Sequence, residues 1–140
     1  MRYLHGHKVN PANDTLDIAV LDLPGAGGAN HVYAVTSPAD REINEAGEQA
    51  DPSGSNANAI IANRVIIRFQ NGPINEQGVN GVTQEVLLEI VADRLRSFQS
   101  GQYACKENAV ALTHIETAQL WLQKRTLDRM RRGVEGTHQK

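Results

Sequence analysis

The chain has 140 residues, 14 Lys and Arg against 16 Asp and Glu for a net charge of −2, 40% apolar residues, 4% aromatic residues and a single cysteine. That length suits one modest soluble domain and excludes a large multidomain enzyme; one cysteine excludes an intrachain disulfide and a thiolate zinc site, and suits a reducing compartment. Met1 to Gly6 lack the apolar stretch of a secretory leader, and no apolar run approaches the roughly 20 residues of a membrane span, so neither a secreted nor an integral-membrane protein is expected.

Residues 15–23 are β-prone, with Leu16, Ile18 and Val20 alternating to one side. The glycine-rich connection Pro24 to Asn30 leads into a second strand, His31 to Thr36, and the two read as a hairpin. The connection is no phosphate loop on this pattern, because no Lys-Ser/Thr follows it and no helix opens after it. Residues 38–58 are acidic, small and polar with two prolines, and read as a mobile loop. The stretch 60–69 carries Val65, Ile66, Ile67 and Phe69, the strongest strand signal in the chain, and closes on the turn Asn71-Gly72-Pro73. Residues 1–82 therefore form a small β region.

Thr83 is placed to cap a helix, with Glu85 in its first turn. Leu87, Ile90, Val91, Leu95 and Phe98 recur at threes and fours, which predicts a helix over 83–99. Ser100 to Tyr103 breaks it, and a second helix runs from Ala104 to Arg132, stopping at Gly133. A four-residue connection makes the two antiparallel neighbours. The expected fold is α+β: a small N-terminal antiparallel β layer packed with a C-terminal antiparallel helical hairpin spanning 83–138.

The net charge hides a gradient. Residues 1–52 carry three Lys and Arg against eight Asp and Glu, whereas five cations, Lys124, Arg125, Arg129, Arg131 and Arg132, fall within the last part of the second helix. A compact basic segment on an acidic chain argues against a duplex nucleic acid partner, whose phosphate lattice calls for a broad basic face, and suits a small anion. On a wheel at about 100° per residue, Arg125 and Arg129 continue the inward stripe begun by Ala118 and Leu122, while Lys124 and Arg131 point outward. Cations on a seam need compensation. Arg125 and Arg129 either pair with Glu89 or Asp93, sit at the helix end where the dipole suits them, or hold a bound anion as a phosphate fork.

Phe98 either plugs the hairpin turn or offers a stacking platform for a purine, and Asn108 is either a surface amide or a base reader. Asn108 and Arg125 are 17 residues apart on one helix, about 25 Å at 1.5 Å per residue. No small ligand touches both clusters in one subunit. A shared site must lie between subunits, and a two-fold pairing would create two of them. No residue set has metal-ligand spacing, and His5 and His7 read as incidental. Cys105 and His114 are about 13 Å apart along one helix, which disfavours a nucleophile and base pair.

The runs Phe69 to Ile74, Gly78 to Thr83, Asp93-Arg94-Leu95 with Ser97-Phe98-Gln99, Cys105 with Glu107-Asn108-Ala109, Trp121-Leu122, Arg125-Thr126 and Arg132 to His138 resemble phage proteins of the Thoeris anti-defence family. The resemblance is to its first-described branch, whose helical hairpin is shared with a phage anti-CBASS sponge. It covers residues 69–138. It implies a non-enzymatic protein, without cofactor, acting in the cytoplasm of the infected bacterial host. Such a protein sequesters glycocyclic ADP-ribose immune signals without degrading them, as a homodimer or a hexamer, and hexameric members also hold cyclic trinucleotides. The resemblance places Phe98 under the adenine, Asn108 in the pocket and Arg125 and Arg129 on the phosphates, with the Gly133 to Thr137 segment, including Gly136 and Thr137, completing the site. Lys106, with Arg68 or Arg94, falls to a second cyclic-oligonucleotide site. The rival readings are an enzyme that cleaves the same messenger and a helical phage regulator that binds nucleic acid.

Overall fold

A computed structural model describes residues 1–37 and 64–139, and the backbone alone of Arg64. The acidic stretch 38–58 and the start of the last predicted strand lie outside the described residues. The chain divides into two compact units, Met1–Arg68 and Phe69–Lys140.

The first unit is a four-stranded antiparallel sheet in the order β1-β2-β3-β4, formed by Arg2–Leu4, Asp17–Val20, Val32–Thr36 and Arg64–Arg68. The chain starts in a strand, in which Arg2 pairs with Val20 and Leu4 with Ile18. The Arg2 guanidinium also donates to Asn30 Oδ1 at 3.0 Å. Between β1 and β2, a single helical turn, α1 (Pro11–Asp14), starts on Asn10, whose side chain accepts from Asn13 N. The β2–β3 pairing sets Ile18 opposite Val35 and Val20 opposite Tyr33. It buries Ala19, Val20 and Ala34, so the core of the unit lies on the two central strands.

β2 ends sooner than the alternation of 15–23 predicts, because Asp22 turns to serve the connection. Its carboxylate accepts from His31 N at 2.8 Å and Val32 N at 3.1 Å, and its carbonyl takes the Asn30 amide at 2.8 Å. Burial alone would raise the Asp22 carboxyl, but the backbone donors His31 and Val32 outweigh it and hold the group below its ordinary value.

The second unit opens with residues 69–82, which group with the helices and not with the sheet. Gln70 N donates to Val82 O at 2.9 Å. Asn71 and Asn80 exchange two bonds, at 2.8 and 2.7 Å, and Gln70 Oε1 accepts from Asn80 N. These amides fold the loop around a short helix, α2 (Ile74–Gln77).

The hairpin follows as α3 (Gln84–Gln99) and α4 (Lys106–Arg131). Thr83 caps α3, its hydroxyl accepting from Val86 N at 3.4 Å. Cys105 caps α4 more weakly, through a thiol that accepts from Asn108 N at 3.5 Å. Gln99 closes the connection by exchanging both amide bonds with the Cys105 backbone, at 3.0 and 3.1 Å. Ala92 is wholly buried, and its small side chain allows close helix approach. Glu89 accepts from Gln119 Nε2 at 2.7 Å and from Arg96 at 3.0 Å, and these two bonds hold its carboxyl below the usual range. The fold is α+β, an antiparallel sheet followed by an antiparallel helical hairpin. Among the described residues no helix is long and apolar enough to cross a membrane.

Candidate functional site

Helix α4 ends at Arg132, and Gly133 reverses the chain at φ +69°. Gly133 N donates to Met130 O at 3.0 Å and Val134 N to Arg129 O at 3.0 Å, the paired bonds of a glycine helix stop. This reversal sends residues 134–139 back along the last turn, over Arg129.

Arg129 is buried, with a side chain 9% exposed. Its Nε donates to Glu135 Oε2 at 2.7 Å, one terminal nitrogen donates to Val134 O at 2.8 Å and Thr137 O at 3.1 Å, and the other donates to Gln139 O. The wheel thus placed Arg129 on the inner face correctly. Its carboxylate, however, comes from Glu135 and not from Glu89 or Asp93 across the seam.

The segment is held from its other side as well. Thr137 Oγ1 and Thr137 N both donate to Val134 O, closing a turn with Gly136 at φ +76°. Gly136 lies so close to α2 that a Cβ there would stand 2.8 Å from Ile74 Cγ1. His138 Nε2 lies 3.4 Å from Glu76 Oε2. Beside this contact is a shallow polar hollow of about 360 Å³, lined by Asn71, Gly72, Pro73, Glu76, Gln77, Asn80 and His138.

Arg125 differs from Arg129. At the edge of the stripe it is exposed, not buried. It shares a hollow of about 270 Å³ with Trp121, Lys124, Asp128 and Arg132. Lys124 Nζ donates to Asp128 Oδ2 at 2.6 Å, and Arg131 lies 3.6 Å from the same carboxylate. The Lys124 bond, with the Arg131 and Arg132 charges, outweighs partial burial and lowers the Asp128 carboxyl. One carboxylate among four cations leaves this end of α4 strongly positive.

At the turn end, Phe98 is half-buried near the close of α3, and the Arg94 guanidinium lies 5.0 Å from its ring centroid. Asn108 is half-buried in the first turn of α4. The helix between them and the arginines is unbroken, so the separation of about 25 Å holds. Arg129, Gly136 and Thr137 are brought together within one subunit, with Arg125 one turn away, while Phe98 and Asn108 lie on different helices at the turn end of the hairpin. Lys106 is exposed at the start of α4, and Arg68 ends β4 in the other unit. Cys105 and His114 are both exposed. Among the described residues no group of His, Cys, Asp and Glu could hold a metal ion.

Sequence reasoning did not assign Glu135 as the partner of Arg129, Trp121 to the hollow beside Arg125, or His138 to the contact with Glu76. The signal for Glu135 was present. A glycine stop at 133 turns the chain back, and an acid two residues later falls onto the last turn.

Residues 62–127 match the family model described as Acb2/Tad1, hairpin domain. Over 74 residues the chain is 51% identical to Thoeris anti-defense 1 of Bacillus phage SBSphiJ7, an alignment that covers 53% of this chain and 52% of that protein. The chain thus spans about half the length of the relative it matches.

Proposed function

We propose that this chain, whose residues 62–127 match the Acb2/Tad1 hairpin domain and which is 51% identical over 74 residues to a Thoeris anti-defense 1 protein, belongs to the Thoeris anti-defence family and is a binding protein that sequesters glycocyclic ADP-ribose immune signals without degrading them. The observation that carries this reading is the pairing of an open cationic hollow at one end of α4 with an aromatic and amide pair, Phe98 and Asn108, at the other. The ligand has the same two halves, a pyrophosphate and an adenine. Arg125 meets the phosphates directly, Arg129 and the Gly136-Thr137 turn border them, and the adenine stacks on Phe98 beside Asn108.

The helix length requires that the two halves come from different subunits, so the working form is a homodimer or a hexamer of dimers. Lys106 is the residue offered to a cyclic trinucleotide at a second site, which would extend the activity to CBASS signals. The protein acts in the cytoplasm of the infected bacterial host.

Titration calorimetry with glycocyclic ADP-ribose tests the reading. Arg125→Ala is expected to weaken binding by about 2 kcal/mol, the scale for losing a charged hydrogen-bond pair, with the oligomer unchanged by light scattering. Unchanged affinity in that variant would reject the site. Heat-denaturing the complex and identifying the released nucleotide by mass spectrometry separates sequestration from cleavage. Intact ligand is expected, and a hydrolysed product would make the protein an enzyme.

A further inference from the structure

We infer that Glu135 occupies, within the free subunit, the place at Arg129 that a ligand phosphate takes in the complex, so that binding at this residue is an exchange of one anion for another. The inference rests on the proposed function. A guanidinium has five N–H donors, and four of those of Arg129 are already directed at residues 134–139. The edge formed by Nε and one terminal nitrogen is the fork that grips carboxylates and phosphates with two parallel bonds. Here that edge is divided between the Glu135 carboxylate and Val134 O.

The ligands of Arg129 are not equally able to leave. Val134 O also accepts from Thr137 N and Thr137 Oγ1, so withdrawing it unfolds the turn. Glu135 is bound through a side chain that is 37% exposed, against 9% for Arg129. Rotation of that side chain frees the Nε donor without moving the backbone. A phosphate entering as Glu135 leaves keeps the buried guanidinium compensated throughout, which avoids the cost of an unpaired buried charge. Glu135 is therefore a positioning residue that sets how available Arg129 is, and the affinity of the site is reduced by the fraction of subunits in which the carboxylate remains bound.

A purely structural role for Glu135 makes the opposite prediction, which separates the two by calorimetry with glycocyclic ADP-ribose on the full chain. Glu135→Gln retains the shape and a hydrogen-bond acceptor but gives up the charge that competes with phosphate. It is expected to bind about fivefold more tightly than the wild type. Unchanged or weaker binding overturns the inference while leaving the functional reading intact, and a wild type that does not bind overturns both. Should the variant lose cooperative melting, NMR of the wild-type protein decides. Ligand is expected to shift the Glu135 side-chain carboxylate resonance as it leaves Arg129 Nε, while the Thr137 amide stays bonded to Val134 O, and an unshifted Glu135 carboxylate overturns the inference.

Discussion

Gly136 and Gly133 both hold positive φ, at +76° and +69°, yet they differ in what surrounds them. A side chain at Gly133 meets open space, while one at Gly136 meets Ile74 at 2.8 Å. Gly133→Ala is expected to cost about 1 kcal/mol for the backbone conformation alone, and Gly136→Ala about 2 kcal/mol because the segment must also shift off α2. Thermal melting checks the order, with the lower Tm in Gly136→Ala. Three carboxylates, Asp22, Glu89 and Asp128, are held below their ordinary values by the bonds they accept. A depressed carboxyl adds stability that is fully present above its unfolded value, about pH 4, and is lost as the pH falls through the folded value. Melting temperatures are therefore expected to be level from pH 7 to about pH 5 and to drop below pH 4, with a shallower drop in Asp22→Asn.

Caps decide where the helices begin, and here they differ in quality. Thr83→Ala is expected to destabilise the second unit by about 1 kcal/mol by removing the acceptor for Val86 N. Cys105→Ser should be neutral or slightly stabilising, since a hydroxyl is a better acceptor than the thiol now facing Asn108 N. Chemical denaturation followed by helical ellipticity checks both. The hairpin was legible because it is written locally: Thr83, the three-and-four repeat of Leu87, Ile90, Val91, Leu95 and Phe98, and Gly133 mark its starts and stops without reference to anything distant. β1 and the 69–82 loop were not legible, because Arg2 to Leu4 become a strand only through Ile18 to Val20, and Asn71 and Asn80 recognise one another across nine residues of chain. The same distinction divides the site. The wheel found the burial of Arg129, but which anion met it depended on the path after Gly133, and Arg125 lay close enough to the stripe edge that its exposure was decided by packing.

At the scale of the whole molecule, the residues proposed to meet the nucleotide, Phe98, Asn108, Arg125, Arg129, Gly136 and Thr137, all belong to the Phe69–Lys140 unit. Their division between two ends of one helix gives the proposed intersubunit site a decisive test. Phe98→Ala and Arg125→Ala, each deficient alone, are expected to regain binding when mixed and reassembled. One of the two sites in each mixed dimer then carries both defects and the other carries neither. Calorimetry should return about half the wild-type number of sites per mixed dimer at wild-type affinity, and no recovery would reject the intersubunit site. The sheet order β1-β2-β3-β4 and the α3-α4 hairpin share one further property: among the described elements each sheet pairing joins successive strands and the hairpin joins successive helices. Among the described residues no strand waits for a partner from the far end, and no crossover has to close before a neighbour can dock. Chain closure thus takes a small share of the folding barrier, and refolding from denaturant is expected within milliseconds, on the fast side for a chain with this much sheet. Under the proposed function a subunit acts only once it is folded, so this local wiring would shorten the interval between synthesis and the first ligand captured.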